Sequence, residues 1–272
     1  KPAVLYGSFV TLWYEAGGKA AGVIGGNSSI ALYNLYIGRD VTQDEGVTVL
    51  AESSAGKNWS SENIIAFQPD LIIMGSRGLS AYQGLFMGSV TTGVLAQTTT
   101  PMLILRGKET PAKEDLTVGI AIDGSTYGVA AARYVAENPD LFGPGAEFQV
   151  INVVSDMRDA KYSVIAAVDG KQLSDDDFER LEKEDFEAAM NQVRPIFKEN
   201  GLKVKEVMLT GDPRDEISDY VEDKHLDLLV MGSHGYTNFK SAVMGSVATH
   251  VAAEGNVPLL IIREGSDAPQ GV

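Results

Sequence analysis

Two kinds of apolar pattern alternate along this chain. Short unbroken runs, Leu71-Ile72-Ile73-Met74, Leu228-Leu229-Val230-Met231 and Leu259-Leu260-Ile261-Ile262, have the length and character of strands buried on both faces. Between such runs, apolar positions recur at helical spacing. Over residues 173–199, Phe178, Leu181, Phe186, Met190, Val193 and Phe197 mark one face of a long amphipathic helix. Asp175-Asp176-Asp177 suit the positive end of that helix better than a metal, and Gly201 after Asn200 is a natural stop. The remaining second-half expectations are strands at 116–122, 147–154 and 204–209 and helices at 126–137 and 215–222, with another helix opening at Gly245-Ser246. In the first half, strands are expected at 3–6, 29–37 and 47–51, and helices at 11–21 and 60–67. Strand and helix in regular alternation point to a parallel α/β sheet.

One stretch occurs twice. Residues 70–106 slide onto 227–263 without a gap, matching Asp70/Asp227, Met74/Met231, Gly75/Gly232, Gly78/Gly235, Gly88/Gly245, Ser89/Ser246, Val90/Val247, Pro101/Pro258 and Arg106/Arg263. A period this long describes a duplicated domain, not a solenoid. The same shift puts the counterpart of Asp123 before residue 1, so the first copy is abbreviated, by roughly 35–40 residues. Residues 107–115, charged and carrying a proline, read as the linker between domains at 1–109 and 113–265.

Each copy carries G-x2-G-x9-G-S after a strand and before a helix. Glycines there let backbone amides approach an anion, and the helix start adds unpaired N–H groups and the positive end of its dipole. A lone pair of glycines is more often a tight turn. No G-x4-G-K-[ST] and no G-x-G-x-x-G occurs in the chain. The whole pattern, with Met231 before it and Val247 after it, resembles the ATP loop of the universal stress protein family. The chain is thereby similar to tandem, two-domain members of that family.

That resemblance implies two Rossmann-like domains of the adenine nucleotide alpha hydrolase-like type. Each would be a five-stranded parallel sheet of order 3-2-1-4-5 with helices on both faces, the first copy shortened. Ligands in such sheets bind where the strand order reverses, which would bring Asp123, at the end of strand one, to the glycine loop. The implied nucleotide site is Ala121, Ile122, Asp123, Val153, Met231, Gly232, Gly235, Gly245, Ser246 and Val247. Asp123 would meet ribose or base, Val153 and Met231 the adenine, and the glycines and Ser246 the phosphates. A possible second site is Met74, Gly75, Gly78, Gly88, Ser89 and Val90, but Tyr6-Gly7-Ser8 stands in place of its strand-one acid. The cofactor implied is ATP (or ADP or AMP) with Mg2+ carried by its phosphates. The last strands, 101–106 and 258–263, are expected to pair edge to edge as an internal pseudo-dimer, with a homodimer of whole chains open.

Composition narrows the alternatives. The net charge of −15, from 22 basic and 37 acidic residues, weighs against nucleic-acid and anionic-membrane partners. The absence of cysteine removes thiol chemistry and fits a cytoplasmic protein. His225, His234 and His250 have no metal-ligand spacing; His234, like Arg77 at the matching place in the first copy, could reach a phosphate but reads first as an exposed loop residue. With no G-x-S-x-G elbow and no base–orienter pair, an enzyme is not expected beyond slow incidental ATP hydrolysis. Two functions remain: an ATP-binding stress-response module, or a scaffold of the same fold working through protein contacts.

Overall fold

The structure is a computed structural model and describes residues 10–16, 19–25, 48–49, 71–75, 89–105, 115–156, 174–235, 244–254 and 257–263. In chain order its elements are β1 (Val10–Ala16), β2 (Lys19–Gly25), β3 (Thr48–Val49), β4 (Leu71–Gly75), α1 (Ser89–Gln97) and β5 (Met102–Leu105). After these come β6 (Thr117–Ile122), α2 (Thr126–Glu137), a 3-10 turn (Pro139–Phe142), β7 (Glu147–Val154), α3 (Asp175–Glu199), β8 (Val204–Thr210), α4 (Pro213–Asp223), β9 (Leu228–Gly232), α5 (Ser246–Glu254) and β10 (Leu259–Ile262). The described strands form one sheet of ten, in the order β3-β1-β2-β4-β5-β10-β9-β6-β7-β8.

The second half is the expected doubly wound unit. Strands β8, β7, β6, β9 and β10 lie side by side and all parallel, which in their own sequence is the order 3-2-1-4-5. All five residues of β9 and all four of β10 are buried, because helices cover both faces. One face carries α2 and α3 over Val118, Ile120, Val150 and Val230. The other carries Ile217 and Val221 of α4 and Val251 of α5 over Ala121, Ile151, Leu229 and Met231. The acids before α3 do what their position requires. Ser174 and Asp177 form a reciprocal capping box, and Asp177 also accepts from Arg180 at 3.0 Å. At the other end Gly201, at φ 67°, lets Leu202 N–H reach the Phe197 carbonyl at 2.9 Å.

The first half departs from expectation in one place. Residues 11–21 are not a helix. Strands β1 and β2 pair antiparallel from Val10↔Gly25 to Ala16↔Lys19, and β1 also pairs antiparallel with β3. Valine, threonine, tryptophan and tyrosine in β1 and valine and isoleucine in β2 are strand formers, which suits this pairing. The first half's strands therefore run 3-1-2-4-5 in their own order, mixed in direction rather than all parallel. Of the third strand expected at 47–51, Thr48–Val49 is described. The strands expected at 3–6 and 29–37 and the helix at 60–67 lie outside the described residues.

The two halves meet at their last strands. Strand β5 pairs antiparallel with β10 through Leu259↔Ile104, Leu260↔Leu103 and Ile261↔Met102. The core crosses this seam: Leu103 packs in the same cluster as Leu260, and Met102 and Ile104 in the same cluster as Leu259 and Ile261. Just past β10, Arg263 donates from Nη1 to the carbonyl of Leu95 in α1, so the second half grips a helix of the first.

Candidate functional site

Strand β6 ends at Ile122 and α2 begins at Thr126, so three residues turn the chain at the switch point. Asp123 is exposed, and its Oδ1 accepts from Ser125 N–H at 2.9 Å and from Ser125 Oγ at 2.5 Å. Ser125 in turn caps α2 by accepting from Gly128 N–H at 3.2 Å. The carboxylate is thus held by the helix start it precedes.

Across the switch point, β9 delivers the glycine loop. Ser233, fully buried, donates its N–H to the Ile262 carbonyl at 2.8 Å and accepts at its own carbonyl from Gly245 N–H at 2.7 Å. These bonds fold the loop back so that α5 starts beside the strand it followed. The space is tight. A Cβ on Gly232 would lie 2.6 Å from Cβ and 2.8 Å from the carbonyl carbon of Tyr127. A Cβ on Gly235 would lie 2.5 Å from Oδ2 of Asp123.

A cleft of about 190 Å³ opens here, at the carboxyl ends of β6, β7 and β9. All ten residues expected in the second half, Ala121, Ile122, Asp123, Val153, Met231, Gly232, Gly235, Gly245, Ser246 and Val247, line it. Its walls are of two kinds. Ala121, Ile122, Val153, Ile217 and Met231 make an apolar side, while Asp123, the glycines and the first turn of α5 make a polar one. An apolar slot beside backbone donors accommodates a flat aromatic group joined to an anion.

Six lining residues were not among those expected: Gly128, Pro213, Ile217, Ser233, His234 and Ala248. His234 corrects the reading of an exposed loop residue. It is half-buried, its ring lies 5.4 Å from that of Tyr127, and its Nδ1 is 3.0 Å from Ser233 Oγ. Pro213 and Ile217 arrive from α4, whose start at Asp212-Pro213 reads in sequence only as a turn.

The first-half site is described in part. Met74 and Gly75 end β4 and Ser89 and Val90 open α1, whereas Gly78 and Gly88 lie outside the described residues. The neighbour of β4 is β2, with Ile24 opposite Met74, just as Ala121 lies opposite Met231. Tyr6-Gly7-Ser8, expected in the place of the strand-one acid, lie outside the described residues.

The sequence matches the universal stress protein family over residues 39–106 and 116–263. The chain belongs to that family, and the two matched segments make it a tandem form. Among curated relatives, universal stress protein MJ0577 of Methanocaldococcus jannaschii is 36% identical over 126 residues, covering 43% of this chain and 78% of that protein. Universal stress protein MJ0531 of the same organism is 32% identical over 145 residues, covering 53% of this chain and 80% of the relative. A solved structure of a candidate universal stress protein from Pseudomonas aeruginosa UCBPP-PA14 superposes with a TM-score of 0.53 at 16% identity, over 76% of this chain and 69% of that one. It shares the fold. No described helix is long and apolar enough to cross a membrane.

Proposed function

We propose that this protein is an ATP-binding regulatory module of the stress response, holding one nucleotide in the cleft of its second half. The observation that carries the reading is convergence. Residues of separate segments, 121–123, 153, 231–235 and 245–247, line one cleft whose apolar side suits a purine and whose amide-rich side suits phosphates. Adenine would lie among Ala121, Val153 and Met231, Asp123 would accept from ribose hydroxyls, and Gly235, Ser246 and Val247 would present amides to the phosphates, with Gly245 leaving room for their approach. ADP and AMP would use the same contacts with fewer phosphates. Among the described residues no cluster of His, Cys, Asp or Glu could hold a metal, so Mg2+ would enter on the phosphates and keep water ligands. The Ser233 hydroxyl beside His234 belongs to a fully buried residue and offers no exposed nucleophile, which favours a switch over a turnover enzyme. A ligand that is free ATP favours a cytoplasmic location.

The first half is proposed as a structural partner that binds nucleotide weakly if at all, since Tyr6-Gly7-Ser8 stands in its sequence where the strand-one acid is expected. Titration calorimetry of nucleotide-stripped protein with ATP and Mg2+ tests both statements, alongside Gly245→Trp. The tryptophan would fill a position whose Cβ already lies 3.3 Å from Cα of His234. Saturation near one ATP per chain, lost in the variant, is the expected result. Two equivalent sites would overturn the division between halves. No binding by a folded wild-type chain would overturn the nucleotide reading and leave the scaffold.

A further inference from the structure

Among its described lining residues the cleft carries one side chain that can become a cation, and it is not one that the glycine-loop pattern specifies. Among the described lining residues the titratable groups are Asp123 and His234, and behind the imidazole lies the ring of Tyr127, which does not itself line the cleft. From α4 and α5 the cleft receives Pro213, Ile217, Ser246, Val247 and Ala248, none of them titratable. Asp215 and His250, on the same two helices, face each other at 3.8 Å. The described lining therefore carries a net negative charge while His234 is neutral and none when it is protonated. An anionic ligand feels that difference directly.

The ring is also held in a way that suits either charge state. Tyr127, itself buried, lies against it, and the Ser233 hydroxyl sits at Nδ1. A hydroxyl both donates and accepts, so it serves a neutral Nδ1 and an Nδ1–H equally; a backbone carbonyl in its place would serve only the second. Ser233 is pinned by its bonds to Ile262 and Gly245, so the imidazole is fixed beside the start of α5 rather than swinging on a loop.

We propose that His234 reads the charge of the ligand: the cleft takes up a proton at this imidazole when a phosphorylated nucleoside binds, and discriminates it from the unphosphorylated nucleoside. This rests on the nucleotide reading given above. The first copy has Arg77 at the matching position, a cation that cannot titrate, so the two copies differ in whether this charge is switchable. Histidine changes charge between pH 5 and 8, within reach of an ordinary cytoplasmic excursion.

The test is calorimetric titration with ATP–Mg2+ and, separately, with adenosine at pH 5.5, 7 and 8.5, in two buffers of different ionisation enthalpy. Wild type, His234→Gln and His234→Arg are compared. The wild type is expected to bind ATP about tenfold more tightly at pH 5.5 than at 8.5, with net proton uptake, and adenosine with no such change. The glutamine variant should bind ATP weakly across the range, and the arginine variant tightly across it. Protonation of ATP itself affects all three proteins alike and is removed by the comparison. If wild type and glutamine variant share one pH profile, His234 does not read charge and the nucleotide site stands. If the folded wild type binds neither ligand, the nucleotide reading falls and takes this inference with it.

Discussion

Asp123 and Gly235 touch across the switch point: a methyl group on Gly235 would lie 2.5 Å from Oδ2 of the aspartate. The acid at the end of β6 and the loop after β9 thus form one wall of the cleft. Gly235→Ala is expected to displace that carboxylate and weaken ATP binding by about tenfold, with thermal unfolding nearly unchanged because both residues are at the surface of the site. Equal affinity in the alanine variant would separate Asp123 from the ligand.

Gly232 has a different reason to be glycine. An added Cβ would meet the Tyr127 backbone at 2.8 Å and 2.9 Å, and backbone in the first turn of α2 cannot rotate away. Gly232→Ala should therefore destabilise the whole second half, by about 1–3 kcal/mol, as overpacking does in a close-packed core. Urea unfolding would show it as a lower midpoint; an unchanged midpoint would mean that α2 slides at little cost.

Asp227 and Thr117 close the opposite ends of β9 and β6. Thr117 donates its N–H to the Asp227 carboxylate at 2.8 Å, and Asp227 returns its N–H to the Thr117 carbonyl at 2.9 Å. The aspartate is buried, which makes removing it expensive. Asp227→Ala is expected to cost about 1–3 kcal/mol in urea unfolding while leaving the cleft at the other end of the strands able to bind.

Arg194 ties α3 to β8. It donates from Nη1 to Glu187 at 2.6 Å and from Nη2 to Glu206 at 2.7 Å, and these bonds hold both carboxyls below their ordinary range. A carboxyl lowered in the folded state contributes stability above its unfolded pKa, and loses it as pH falls through the folded value. Arg194→Met should lower the urea midpoint at pH 7, and by less at pH 3.5. All three side chains are partly exposed, so the effect is modest. A loss independent of pH would assign it to the packing of the arginine stem.

Where a segment's neighbours lie within its own pattern, the sequence was enough. Strand β9 is an apolar run because both its faces are covered, and α3 shows its stripe because one face meets the sheet. The cleft's wall was readable for the same reason: the repeat marked the loop, and the strand order supplied Asp123. What failed to show depends on partners distant in sequence. His234 is placed by Tyr127, and Ile217 by the packing of α4 over Ala121 and Met231. Residues 11–21 do not declare their element locally, because alanine, leucine and tryptophan suit either one, and the pairing of β1 with β2 and β3 decides for strand.

The seam between β5 and β10 is three residue pairs long, and the chain that runs from one strand to the other never leaves the molecule. Two separate proteins joined by so short a contact would come apart on dilution. Here β5 and β10 fill each other's edges within one chain, so the joined state of the two halves does not depend on how much of the protein is present.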